Sequence, residues 1–141
     1  MRDVSNAWKD YSIASDLLEI YAREREEVRE YVSSLCTRGY TVILFGSRAR
    51  GDHKIYSDWD LLVVGKDRPT TPPGQIDLHF VDAESVEREI QEFNTVVIDA
   101  FYEGVVQCDN LSIFTRYREM VLRRINGLRK TRDGWIRTST Q

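Results

Sequence analysis

Apolar residues in the first quarter of the chain recur every three or four positions. From about residue 15 to residue 38 they form one stripe, while Glu and Arg fill most of the other positions. This spacing is typical of an amphipathic helix, and Gly39 follows as a helix stop. Runs of strand character come next, at residues 40–45, 61–64 and 76–81. We therefore predict a long helix followed by a sheet.

Helical spacing returns in the second half of the chain. The predicted elements are helices at about 82–90, 94–103 and 111–125 and a short fourth strand at 105–108. Between the second and third strands, residues 66–74 hold all three prolines and predict a loop. The last fifteen residues show little pattern. We predict an α+β fold, an α/β sandwich whose mixed sheet of three or four strands is flanked by helices.

The length of 141 residues fits one domain. We expect a single domain over residues 1–141, with an N-terminal helix at about 15–38, a core at about 41–125 and a basic tail at about 126–141. With 41% hydrophobic and 30% charged residues, the composition is that of a soluble globular protein. No apolar run approaches the roughly 20 residues of a membrane helix, and the first ten residues lack the apolar stretch of a secretory signal. A cytoplasmic protein without membrane attachment is expected.

Two further features of composition bear on possible partners. Cys36 and Cys108 form no C-x-x-C pair, so we predict ordinary buried or partly buried thiols, since a disulfide would need an unusual cellular context. The net charge of −3 argues against a protein that coats nucleic acid. From Arg123 to Arg137, however, the chain contains six basic residues and one acidic residue. We interpret this stretch as a solubilising tail, with phosphate contact as the alternative.

The most informative segment begins where the first strand ends. Gly46 lacks a side chain, so a phosphate can approach the backbone there. Ser47 offers a hydroxyl and an amide at a predicted helix start, which favours anions. Arg48 and Arg50 carry guanidinium forks that suit phosphate oxygens, with a structural salt bridge as the alternative for each. Together these residues predict a cradle for a triphosphate.

Acidic residues follow at the heads of the next two strands. Asp58 and Asp60 are two positions apart, so we expect their carboxylates on one face and Trp59 on the other. Asp77 lies between two apolar residues of the third strand and faces away from them. If these strands are neighbours, the three acids form a cluster whose repulsion a divalent cation would relieve. Magnesium prefers such oxygen ligands together with substrate phosphates.

Neighbouring polar residues have more modest interpretations. Ser57 is a candidate nucleotide contact, but capping the turn that aims Asp58 is favoured. His79 shares a strand face with Asp77 and could orient that acid or line the pocket, although a structural role is favoured. His53 is interpreted as a surface histidine.

The order Gly46-Ser47, ten residues, Asp58-Trp59-Asp60 and then Ile76-Asp77-Leu78 resembles the DNA polymerase β-like nucleotidyltransferase superfamily. Within it, the chain is similar to the minimal nucleotidyltransferases of prokaryotes over about residues 41–125. No P-loop, dinucleotide-binding or calcium-loop motif competes with this interpretation.

The resemblance implies an enzyme that transfers a nucleoside monophosphate, with AMP expected, from an NTP to an acceptor and releases pyrophosphate. It implies two Mg²⁺ ions, or Mn²⁺, at three catalytic acids. Carried over, the acids are Asp58, Asp60 and Asp77, and Gly46 and Ser47 contact the triphosphate. Some minimal members are encoded beside a HEPN-domain protein, and some of those act as antitoxins by adenylylating it.

Three functional hypotheses follow from these patterns. The first is the transferase, with a HEPN-domain protein as a candidate partner and a homo- or hetero-oligomer as the expected assembly. The second is a non-catalytic nucleotide-binding module that neutralises a HEPN-type protein. The third is modification of nucleic-acid ends, motivated by the basic C-terminal stretch; it ranks last because the chain has no room for extra domains that hold nucleic acid.

Overall fold

The computed structural model describes residues 4–138, with side chains described from residue 15 onward. The elements, in chain order, are α1 (Val4–Thr37), β1 (Thr41–Phe45), α2 (Ser47–Arg50), β2 (Trp59–Gly65), β3 (Ile76–Asp82), α3 (Val86–Gln91), α4 (Thr95–Glu103), β4 (Val105–Asp109), α5 (Phe114–Arg124), β5 (Leu128–Thr131) and β6 (Gly134–Arg137). None of the described helices combines the length and the apolar character needed to cross a membrane.

The main sheet has the strand order β3-β2-β1-β4. Strand β1 is antiparallel to both β2 and β4, whereas β2 and β3 are parallel. The sheet is therefore mixed, and the predicted α+β class with four strands flanked by helices is confirmed. The parallel pairing aligns the starts of β2 and β3, which carry the acids predicted for the site.

Helices cover both faces of the sheet. On one face, Ile43 and Leu62 join a buried cluster with residues of α3, α4 and α5. On the other face, Val42 and Val63 pack with Leu35 of α1. Burial on both faces accounts for the continuous apolar runs of β1 and β2. The predicted α/β sandwich follows from this packing.

The N-terminal helix is longer than predicted. It begins at Val4, whereas the apolar stripe predicts a start near residue 15. Two other helices start later than predicted, at Val86 and at Phe114. In the second case Asp109 sets the boundary, because its carboxylate accepts the backbone N–H groups of Ile113 and Phe114 at 3.0 and 3.1 Å.

The segment predicted to be a patternless tail forms a two-stranded hairpin. Strands β5 and β6 pair antiparallel around a two-residue turn, in which the Thr131 hydroxyl donates to the Gly134 carbonyl at 2.8 Å. Trp135 anchors the hairpin, since its indole N–H donates to Asp99 at 2.9 Å and its ring contacts Tyr102 edge-on. The prediction of a tail was wrong because this tertiary packing orders a weak strand pattern. The turn residues are Arg132 and Asp133, and Gly134, with φ of 129°, begins β6, so the Asp133-Gly134 dipeptide lies one position past the usual place of this hairpin signal.

The prediction of two ordinary thiols was also wrong. Cys36 and Cys108 form a disulfide between the end of α1 and β4, with the two Cα atoms 5.9 Å apart. They are 72 positions apart in sequence. The packing of α1 over the β1–β4 edge brings them together, and sequence spacing carries no sign of that contact.

Candidate functional site

The candidate site lies at the edge of the sheet where β1 ends and where β2 and β3 begin. Phe45, the last residue of β1, pairs with Asp60 of β2. Asp60 in turn pairs with Asp77 of β3. The turn that starts at Gly46 is therefore held beside the Asp60 carboxylate, and Asp77 lies on the next strand.

Gly46 is in a backbone conformation and a space that only glycine fits. Its φ of 74° and ψ of −156° lie outside the regions that residues with a side chain adopt. A Cβ at this position would lie 2.2 Å from the Asp60 Oδ2 atom. The close approach of backbone to carboxylate is thus built into the Gly46–Ser47 turn.

Ser47 begins the single helical turn α2. The backbone N–H groups of Ala49 and Arg50 donate to the Gly46 carbonyl, and that of Gly51 donates to the Ser47 carbonyl. Gly51 ends the turn in a left-handed conformation with φ of 84°. Both glycines of the sequence motif therefore have a definite backbone role, and Ser47 lies between them at the sheet edge.

Two acids and one histidine bring together side-chain atoms that could bind a metal ion. One atom each from Asp60, Asp77 and His79 lies within 4.8 Å of the other two. The His79 Nε2 atom is 3.3 Å from the Asp77 Oδ2 atom, and the His79 ring is 5.7 Å from that of Phe45. Asp60 and Asp77 are neighbours, as predicted. His79 lies beside Asp77, which is the interpretation of His79 that the sequence did not favour.

Asp58 is placed differently from the expected arrangement of three acids. Strand β2 begins at Trp59, so Asp58 precedes the strand and its orientation is not fixed by strand pleating. It is exposed, and it is not a member of the group formed by Asp60, Asp77 and His79. Its charge still acts on Asp60 and helps raise the pKa of that acid.

The electrostatics of Asp60 are unfavourable in the absence of a cation. Burial raises the pKa of Asp60 above its usual value, and the negative charge of Asp77 raises it further. His79 acts in the opposite direction. A half-buried carboxylate that faces a second carboxylate is the setting in which a bound cation stabilises both charges.

The donor set fits a divalent metal ion. Carboxylate oxygens suit Mg²⁺ and Mn²⁺, and an imidazole nitrogen is also a good ligand for transition metals. The Gly46 backbone leaves the Asp60 Oδ2 atom uncovered by any side chain at position 46. Asp60 and Asp77 are the residues that would hold such an ion, with His79 as a third ligand or as a support for Asp77.

Arg48 is engaged by the protein itself. Its Nη2 atom donates to the carbonyls of Ile55 and Ser57 at 3.1 and 2.9 Å, and the guanidinium lies 4.0 Å from the centre of the Trp59 ring. These contacts hold the loop that leads to Asp58. They favour the structural alternative for Arg48, and a phosphate contact by this residue stays a prediction.

Arg50 and Ser57 also have internal partners. Arg50 donates to Asp52 at 3.2 Å and to Glu103 of α4 at 2.8 Å. Although burial opposes the charged form, these hydrogen bonds raise the pKa of Arg50. The Ser57 hydroxyl accepts the Lys54 backbone N–H at 2.9 Å, which agrees with the turn-capping interpretation. Nucleotide contacts by Arg50 and Ser57 stay predictions.

Glu103 supports the turn, although the sequence does not single it out. Its carboxylate binds Arg50 and also Lys130 of the hairpin, each at 2.8 Å. No signal in the sequence joins these three positions, because they come together only when α4 and the hairpin pack beside α2.

Comparison with known proteins identifies the family. A family model described as a nucleotidyltransferase domain matches residues 25–125, well over half of the chain. The match includes the Gly46–Ser47 turn, Asp60, Asp77 and His79, and it ends before the hairpin. Neither the curated proteins nor the solved structures include a significant match. With its turn, its paired acids and this match, the chain belongs to the family of nucleotidyltransferase domains.

Proposed function

We propose that the protein transfers a nucleoside monophosphate from an NTP to a hydroxyl group of an acceptor. The acceptor oxygen forms a bond to the α-phosphorus, the bond from that phosphorus to the bridging oxygen breaks, and pyrophosphate leaves. The observation that carries the proposal is the contact of the Gly46 backbone with Asp60 beside Asp77. It puts a turn suited to phosphate oxygens next to ligands suited to a divalent cation.

The protein's own residues would bind and orient the reactants. The Gly46–Ser47 turn would hold the triphosphate, and Asp60 and Asp77 would hold Mg²⁺ or Mn²⁺. Asp58 is a further candidate ligand, on the strength of the resemblance. Such ions, when bound, neutralise phosphate charge and make the acceptor hydroxyl easier to deprotonate. Asp77 would accept the hydroxyl proton, and His79, whose Nε2 atom is 3.3 Å from the Asp77 Oδ2 atom, would orient Asp77.

The finer details of the proposal rest on resemblance to the minimal nucleotidyltransferases. They are ATP as donor, two metal ions, a cytoplasmic location and a HEPN-domain protein as the partner that is modified. A transferred AMP would add a bulky anion to such a partner, which is chemistry suited to blocking an active surface.

A transfer assay with α-phosphate-labelled NTPs tests the proposal. Each of the four NTPs is incubated with the protein, Mg²⁺ and a lysate of the source organism, and label incorporation is compared among variants. We expect incorporation with at least one NTP, and we expect Asp60→Asn and Asp77→Asn to abolish it. Asp67→Asn, which changes an exposed loop carboxylate, is the matched control and should retain incorporation. Equal incorporation by all three variants would contradict the proposal.

The second candidate is a nucleotide-binding partner module without transferase activity. The exposed position of Asp58, outside the group of metal ligands, favours it. This alternative predicts that calorimetry detects Mg²⁺-dependent NTP binding that Asp60→Asn abolishes, while the NTP is recovered unchanged. Pyrophosphate in the same sample would exclude it.

A further inference from the structure

A cavity of about 250 Å³ lies between α1 and the face of the sheet opposite the acids. Its inner walls are apolar and are formed by Val28 and Val32 of α1 and by Leu44, Trp59 and Leu61 of the sheet. We call this space the α1 wedge. Its volume lies just below the range of typical ligand pockets. The wedge therefore suits a ligand with one ring system rather than a whole nucleoside triphosphate.

Cations surround the opening of the α1 wedge. Arg25 and Arg29 line it and are one helical turn apart on α1. No acidic side chain is among the described residues that line it. Arg29 pairs with Glu26 at 3.6 Å, but both side chains are exposed, so this pair competes weakly with a ligand. Apolar walls below a cationic opening favour an anion with an apolar body.

Arg48 is not among the residues that line the wedge, but it contacts one of them and carries an unsatisfied donor. Its guanidinium lies over the Trp59 ring, which forms part of the wedge wall. The Arg48 Nε atom is buried and has no hydrogen-bond partner among the described residues. Burial lowers the pKa of Arg48, the positive charge of Arg25 lowers it further, and the negative charge of Glu24 acts in the opposite direction. An anion bound to Arg25 would oppose the effect of Arg25 on Arg48.

A β-bulge gives the wedge its remaining polar wall residue. The register of β4 against β1 shifts between Val42 and Ile43, which leaves Gln107 without a paired residue. Gln107 also lines the wedge. The bulge thus adds a side-chain amide at the cationic opening; its Nε2 atom already donates to the Val105 carbonyl at 3.1 Å and has a second N–H group.

We infer that the α1 wedge binds a small organic anion that has a flat apolar ring, as a site separate from the Asp60–Asp77 centre. The ring packs between Trp59 and the apolar residues of α1, and the anionic group binds Arg25 and Arg29. A nucleoside monophosphate and an aromatic carboxylate share this chemistry. Binding in the wedge does not depend on the proposed transfer activity.

Fluorescence titration with 1-anilinonaphthalene-8-sulfonate, a flat apolar anion, tests the inference on the full chain. We expect saturable binding of one probe per chain while far- and near-ultraviolet circular dichroism remain those of the folded protein. Gln107→Trp fills the opening from an exposed position and should abolish the enhancement. Arg25→Gln should weaken binding by about tenfold, as loss of a charged hydrogen bond does. Arg23→Gln, an exposed arginine of the same helix that does not line the wedge, is the control and should bind normally.

Competition distinguishes the two sources of ligand. Displacement of the probe by AMP supports a nucleotide ligand, and displacement by 1-naphthoate alone supports an aromatic acid. The inference fails if the probe gives no enhancement or is displaced by neither compound. It also fails if Gln107→Trp binds normally, or if Leu18→Glu, on the exposed part of α1, removes the binding instead.

Discussion

At the scale of single residues, Gly46 determines how closely the Gly46–Ser47 turn approaches the Asp60 carboxylate. The space beside the Gly46 backbone is occupied by that carboxylate, so any side chain there must move either the turn or the acid. From the sequence, glycine is expected at this position because a phosphate can then approach the backbone. The structure gives a second reason, which is the packing of the turn against Asp60.

Gly46→Ala should disrupt the site more than an ordinary glycine substitution. The strained backbone alone should cost about 1–3 kcal/mol of unfolding free energy, and the displaced Asp60 should weaken Mg²⁺-dependent NTP binding. Gly51→Ala is the control, because Gly51 also has a positive φ but a Cβ there would meet no atom within 4 Å. Urea unfolding and calorimetry measure the two effects. If both variants bound NTP equally well, Gly46 would not have the proposed role.

His79 should matter because of its contact with Asp77. His79→Gln removes a group 3.3 Å from the Asp77 carboxylate, and loss of such a supporting residue typically reduces metal affinity or activity by about 10–100-fold. Metal titrations of the transfer rate would show the loss as a higher metal requirement. His53→Gln, which changes an exposed loop histidine, should leave the titration unchanged. Identical titrations for the two variants would remove His79 from the site.

Asp60 should destabilise the metal-free protein at neutral pH. Burial and Asp77 raise the pKa of Asp60, so the folded state holds this proton more tightly than the unfolded chain does. The unfolding free energy should therefore fall as pH rises through the raised pKa. Between about pH 3.5, below the usual pKa of an Asp carboxyl, and about pH 8, the thermal unfolding midpoint in EDTA should fall more for the wild type than for Asp60→Asn. Added Mg²⁺ should stabilise only the wild type, and a variant that responds as the wild type does would contradict the assignment.

At the scale of elements, the strands that carry the site could be predicted and the segments around them could not. Asp77 lies within β3, as expected from the apolar residues on either side of it. Asp58 precedes β2, because Trp59 starts the strand and Arg48 holds the preceding loop through the carbonyls of Ile55 and Ser57. Long-range contacts of this kind leave no local pattern.

The hairpin also depends on long-range contacts that the sequence does not reveal. Its strands are short and charged, and Lys130 is held by Asp99 and Glu103 of α4, at 3.2 and 2.8 Å. Glu103 also binds Arg50, so the hairpin is joined to the turn of the site through one carboxylate. The nucleotidyltransferase match ends at residue 125, which makes the hairpin an addition to the matched region.

At the scale of the whole molecule, the disulfide requires an oxidising environment, whereas the expected cytoplasmic location is reducing. The bond joins positions 72 apart, and closing a loop of that length should contribute about 4 kcal/mol to stability. Reducing conditions should therefore lower the urea midpoint, and the single variants Cys36→Ser and Cys108→Ser should each lose about as much as the double variant. Maleimide labelling of protein unfolded without reductant should find no thiol. Two reactive thiols in protein taken directly from cells would show that the bond does not form there.

The proposed metal centre and the α1 wedge lie on opposite faces of the sheet. Asp60 lies on the strand face of Leu62 and Val64, which packs against α3, α4 and α5, whereas Trp59 lies on the face that packs against α1. The two residues are adjacent in the chain, so one strand start serves both the proposed metal centre and the α1 wedge. The proposed transfer of a nucleoside monophosphate takes place at the metal centre, beside the Gly46–Ser47 turn.

The most direct test is pyrophosphate release from NTP by the purified protein with its acceptor and Mg²⁺. We predict that the wild type and Asp67→Asn release pyrophosphate in proportion to labelled acceptor, that EDTA stops the release, and that Asp77→Asn reduces it by at least about 100-fold. Release that continues unchanged in Asp77→Asn, or in EDTA, would contradict the account.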